Sequence, residues 1–139
     1  MESMAILYFN AEQYKESLFW LNKLVNKKQP GSWLNNYSVA LKLSILAHYE
    51  LENTDLLDSL IKSTERFLIK NKIYFDFDRL FITTLKKTMK KEDEKSQLQI
   101  LTAFKREIII LNENSFEKLA FYYFDYLRWV ENKIKILGR

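Results

Sequence analysis

His48 is the only histidine in the chain, and Glu52 stands four residues beyond it. On a helix that spacing sets both side chains on one face, as a metal-binding pair requires. One imidazole and one carboxylate do not complete a metal site, and a di-iron bundle needs two Glu-x-x-His motifs. His48 continues a stripe through Leu41, Ser44 and Ile45, so it is expected to pack or hydrogen-bond between helices. Asp76 and Asp78, in the run Phe-Asp-Phe-Asp, form the second candidate, a carboxylate pair of the acid–base kind. Two residues apart on a helix they point different ways. At the start of a helix their charge complements the helix dipole instead.

The third candidate is electrostatic. Residues 71–139 hold fourteen Lys/Arg against ten Asp/Glu, and the whole chain carries a net charge of +4. The excess gathers at Lys86, Lys87, Lys90, Lys91 and Lys95, with Lys105 and Arg106 further on. These seven residues are the candidates for nucleic-acid binding. Glu92, Asp93 and Glu94 interrupt the group, whereas phosphate binding favours a continuous basic face. Lysine outnumbers arginine 17 to 5, which argues against bidentate recognition of phosphates or base edges.

Other chemistries lack their parts. There is no cysteine, hence no disulfide, thiol nucleophile or cysteine–zinc site. The two glycines, Gly31 and Gly138, build no phosphate-cradling loop, and no Gly-x-Ser-x-Gly or Ser-His-Asp set can be assembled. The expectation is a protein that is not an enzyme, with no catalytic residue, cofactor or metal. No apolar run approaches the roughly 20 residues of a spanning helix, and the N-terminus does not read as a signal peptide. A cytoplasmic setting, away from membranes, is expected. Hydrophobic residues make up 47% of the chain and aromatics 15%, enough apolar mass for a core and too much for a disordered tail.

The elements that must position any site are helices. Two glycines and one proline are too few for a strand fold, which needs frequent turns. Instead, 3.6-residue periodicity predicts seven helices and an all-α fold. They fall near 3–10, 12–26, 33–51, 55–70, 74–91, 93–111 and 116–137. Pro30-Gly31, Asn53-Thr54-Asp55, Asn71 and Asn112–Asn114 separate them. Ser32, Thr54 or Asp55, and Ser115 are the expected N-caps, and Gly138 the last stop. Short connections make neighbouring helices antiparallel. The chain thus reads as one domain of hairpins 3–26, 33–70 and 74–111, closed by a capping helix 116–137. On that last helix Phe116, Leu119, Ala120, Tyr123, Leu127, Val130 and Ile134 form an inward stripe. Tyr122, Tyr126 and Trp129 form a second, available for burial or for a partner chain.

The opening hairpin carries a family signature. Ala5 and Tyr8 precede a turn at Asn10-Ala11; Tyr14, Ser17, Leu21 and Pro30 follow. This resembles the tetratricopeptide repeat, in which small residues let two helices approach and aromatics fill the gap between hairpins. Tyr49, Asn53 and Ser59-Leu60 repeat it more weakly, with Tyr8 and Tyr49 separated by 41 residues. The chain is similar to the C-terminal repeat region of bacterial members of that family. Its short first helix reads as a start inside a repeat, which makes it a fragment of a longer array or a stand-alone remnant. The resemblance implies a stacked α–α superhelix and a non-catalytic scaffold. Its partner would be a protein or peptide, held in a groove lined by the first helix of each hairpin. Asn35, Asn36 and Lys42, on the third helix, are the groove candidates. Homodimerisation through Tyr122, Tyr126 and Trp129 is the further alternative.

Overall fold

A chain so poor in breakers has little to stop helices except its caps and turns. The computed structural model describes residues 2–26, 33–91, 93–114, 117, 121 and 124–138. Among these residues there are seven α-helices and no strands. They are α1 (Glu2–Asn10), α2 (Tyr14–Asn26), α3 (Trp33–Glu50), α4 (Thr54–Lys70), α5 (Asp76–Lys90), α6 (Glu94–Leu111) and α7 (Tyr126–Leu137). The all-α class and the helix count are those read from the periodicity. Among the described residues no helix is long and apolar enough to cross a membrane.

The helices gather into two compact units, Met1–Lys70 and Asn71–Arg139. In the first, α2 packs on both α1 and α3, and α3 packs on α4. Ala5 and Phe9 of α1 face Ser17 and Leu21 of α2 across the first hairpin, and all four are buried. The Ser17 hydroxyl donates to the Ala5 carbonyl at 2.7 Å, so the small residue brings the backbones together and satisfies its own polar atom. The aromatic that enters this core is Phe9, edge-on to Tyr14 with centroids 5.1 Å apart; Tyr8 is only half-buried. The sequence pattern names Tyr8 as the aromatic of this helix and gives it the gap between hairpins. α3 is buried on every face from Ser38 to Ala47, as an interior helix surrounded by its neighbours must be.

In the second unit α6 packs on both α5 and α7. Phe77 and Phe81 of α5, Leu101, Phe104 and Ile108 of α6, and Tyr126, Trp129 and Val130 of α7 supply the core. Here the structure departs from the periodicity. The residues at 117, 121, 124 and 125 are not part of an α-helix, and α7 starts at Tyr126 rather than near 116. The Asp125 carboxylate accepts from the Arg128 N–H at 3.0 Å and caps it there. The expected cap Ser115, the break Pro30-Gly31, Ser32, and Phe116, Leu119, Ala120 and Tyr123 of the inward stripe lie outside the described residues. α4 starts at Thr54, so the position before it is Asn53, not Thr54 or Asp55.

Candidate interaction surfaces

The turn between α1 and α2 is fixed by two backbone hydrogen bonds. The Gln13 N–H bonds to the Tyr8 carbonyl (2.9 Å) and the Glu12 N–H to the Phe9 carbonyl (2.9 Å). Glu12 adopts the left-handed conformation, φ 61°. This six-to-one and five-to-two pair is the Schellman motif, which usually has glycine at the left-handed position. The turn between α3 and α4 repeats it. The Asn53 N–H bonds to the His48 carbonyl (3.0 Å) and the Glu52 N–H to the Tyr49 carbonyl (3.2 Å), with Glu52 at φ 60°. The two turns coincide at an offset of 40 residues, pairing Glu12 with Glu52 and Phe9 with Tyr49. At that offset buried Ser17 and Leu21 of α2 match buried Leu57 and Ile61 of α4, and exposed Phe19 matches exposed Ser59. The sequence pairing of Tyr8 with Tyr49 and of Ser17 with Ser59 was therefore out of register.

The His48–Glu52 pair takes its meaning from this turn. The Asn53 Nδ2 lies 3.1 Å from His48 Nδ1. An amide nitrogen only donates, so Nδ1 accepts and the ring proton sits on Nε2. Burial holds the imidazole below its ordinary pKa, in the neutral form this bond needs. Glu52 is exposed at the left-handed turn position. Among the described residues no group of three or more His, Asp and Glu is placed to hold a metal ion. Two phenols nearby are pushed up to about 12: Tyr14 by burial and then by Glu50 and Glu12, Tyr49 by burial and then by Glu50.

The expected groove residues of α3 divide. Lys42 is 7% exposed, inside the segment of α3 buried on all sides, and presents no open face to a peptide. Its candidacy follows from the family resemblance, and the packing around α3 leaves it no open side. Asn36 is half-buried, and the side chain of Asn35 lies outside the described residues.

In the second unit the carboxylates sort by direction. Asp76 is exposed. Asp78 is buried, and its Oδ2 accepts from the Phe75 N–H at 3.0 Å. A third carboxylate, unforeseen from sequence, joins them. Buried Glu117 accepts from the Asp76 N–H (3.2 Å) and the Phe77 N–H (3.1 Å), while its own N–H donates to the Asn114 Oδ1 (3.1 Å). Glu117 thus caps α5 from 40 residues away, at the positive end of the helix dipole. Nothing local marks that role: only the fold brings 117 to 76.

Tyr126 and Trp129 do not face outward. Tyr126 is fully buried, with its ring 4.7 Å from Phe77, 5.7 Å from Phe81 and 4.9 Å from Phe124. Burial, and then the Asp78 charge, push its phenol far above the ordinary tyrosine value. Trp129 is buried beside it in α7, so neither ring offers a partner the face the periodicity suggested. Tyr122 lies outside the described residues.

The basic residues stay at the surface. Lys87, Lys90, Lys91, Lys95 and Arg106 are exposed, and Lys86 is half-buried. Lys105 pairs with Glu131 of α7 at 3.4 Å. Asp93 caps α6 through the Ser96 N–H at 2.9 Å. Gln97 Nε2 donates to the Thr88 carbonyl at 2.6 Å and to the Lys91 carbonyl, closing the end of α5. The interruption of the cluster by acids is thus partly a capping device. Compared with known proteins, the chain matches no family model, no curated protein and no solved structure.

Proposed function

We propose that the chain is a non-catalytic, protein- or peptide-binding scaffold of the helical-repeat type, akin to tetratricopeptide proteins and at work in a bacterial cytoplasm. The observation that carries this reading is the 40-residue repetition of one hairpin, with the same turn hydrogen bonds and the same left-handed glutamate. A hairpin built twice buries its apolar side by stacking, and stacked hairpins present extended surfaces to partners. The spacing exceeds the roughly 34 residues of the tetratricopeptide repeat and falls at the length of longer two-helix repeats. Both classes do the same kind of work.

A second reading rests on the exposed Lys87, Lys90, Lys91, Lys95 and Arg106, a surface that could meet a phosphate backbone. Self-association through the last helix is the weakest reading, since Tyr126 and Trp129 are buried. Affinity capture from the source organism, with and without nuclease and at low and high salt, separates these. A specific protein retained at high salt after nuclease supports the scaffold. Nucleic acid that washes off between about 50 and 200 mM salt moves the site to the lysine cluster.

A further inference from the structure

The cations of α5 sort by face. Residues 79–91 hold five Lys/Arg and no Asp/Glu, because the acids that interrupt the basic cluster begin only at Glu92. Phe77, Phe81, Ile82 and Leu85 turn the other side of this helix into the core. Arg79, Thr83, Lys87 and Lys90 are exposed, at steps of four, four and three residues. Those steps set them on one face of the helix. The row from Arg79 to Lys90 is about 16 Å long, at roughly 1.5 Å of rise per residue. The Arg79 guanidinium lies 5.2 Å over the Tyr74 ring. Among the described residues Arg79, Lys87 and Lys90 form no ion pair.

Local structure does not account for this row. Cations complement the C-terminal end of a helix dipole, but Arg79 stands near the N-terminal end of α5. At the C-terminal end it is Gln97, not a lysine, that donates to the Thr88 and Lys91 carbonyls. Both ends of the row are acidic. Exposed Asp76 precedes Arg79 by three residues, and exposed Asp93 and Glu94 follow α5. A nucleic-acid backbone is negative along its whole length and would meet these carboxylates at either end. A short acidic segment fits between them. We infer that the exposed face of α5 from Arg79 to Lys90 is a docking surface for an acidic peptide segment of a partner protein. Charge complementarity selects this occupant. The surface presupposes the scaffold reading and gives that scaffold's partner a chemistry.

The test titrates a fluorescein-labelled dodecaglutamate peptide into the full chain at about 50 mM salt, followed by anisotropy, beside a thymidine dodecanucleotide carrying the same dye. Saturable binding of the peptide is expected. The double variant Lys87→Gln, Lys90→Gln weakens it about fivefold, the effect of losing two exposed charge pairs. The double variant Arg106→Gln, Lys135→Gln removes the same charge from exposed sites on α6 and α7 and is expected to leave it unchanged. All four side chains are exposed, so both variants keep the fold, and an unchanged circular dichroism spectrum checks this. Absence of peptide binding, or an equal loss in the two variants, overturns the docking surface. Tighter binding of the oligonucleotide, lost with Lys87 and Lys90, overturns it in favour of nucleic acid. A peptide failure leaves the scaffold reading to its own capture experiment, and a capture that yields no protein tells against the scaffold whatever the peptide does.

Discussion

At the residue scale the informative positions are those where chemistry and backbone disagree. Glu12 and Glu52 hold the left-handed conformation that glycine occupies without strain. Glu12→Gly and Glu52→Gly are each expected to raise stability by about 0.5–1 kcal/mol, because relief of the left-handed strain exceeds the added chain entropy. Urea titration checks this; a drop in the midpoint would mean the carboxylates do more than fill the turn. The Thr64 hydroxyl is fully buried with no hydrogen-bond partner among the described residues. Thr64→Val removes an unsatisfied group of similar size and is expected to stabilise by about 1 kcal/mol, read in the same titration. His48 sets the acid limit of its hairpin. Its folded pKa lies below the unfolded value, so its contribution is present above about pH 6.5 and is lost as pH falls through the folded pKa. His48→Gln should flatten that loss, which thermal melts between pH 7 and 5 would record.

At the scale of elements, the helix ends decide more than the helix interiors. α5 is held by a carboxylate supplied from residue 117, and α7 begins where Asp125 caps it. Glu117→Gln keeps the size but leaves one acceptor oxygen, so one of the two bonds from the α5 N–H groups is lost and the charge at the helix N-terminus with it; a loss of about 1–2 kcal/mol is expected. Hydrogen exchange localises the effect: the first turn of α5 should lose protection before its last. If protection falls evenly across α5 and α6 instead, the cap is not what Glu117 supplies. The helices themselves were legible because apolar residues recur at 3.6-residue spacing and the breakers are scarce. The start of α7 was not, because the apolar period runs through residues 116–137 without a gap. Periodicity cannot weigh a local cap against a long apolar stripe.

At the scale of the whole molecule the two units share an alkaline limit to stability. Tyr14 and Tyr49 in the first unit and Tyr126 in the second all hold their protons more tightly folded than unfolded. Their contributions are therefore present below about pH 10 and are lost as pH rises above it. A stability plateau between about pH 6.5 and 10 is expected, falling on the acid side through His48 and on the alkaline side through the tyrosines. Tyr126→Phe should weaken the alkaline decline in denaturant titrations at pH 9 to 11. No such change would mean that other groups set the alkaline limit. The two hairpins of the first unit share a turn geometry at a 40-residue offset but not their residues, since Ser17 falls opposite Leu57 and Phe9 opposite Tyr49.

The sequence by itself determined the class of structure, the number of helices and most of the breaks between them. These depend on spacing along the chain and on a few turn residues. It also determined the close contact of the first hairpin, where a small side chain was enough to forecast approach. Tertiary structure decided which faces remain open. Lys42, Tyr126 and Trp129 are candidates for partner contact from the sequence, and all three are buried. Burial of a face depends on neighbours that are distant in sequence, and a helical wheel contains none of them. The same reason explains why Glu117 went unseen as a cap: it meets the α5 N–H groups some 40 residues away, a contact only the folded chain can make.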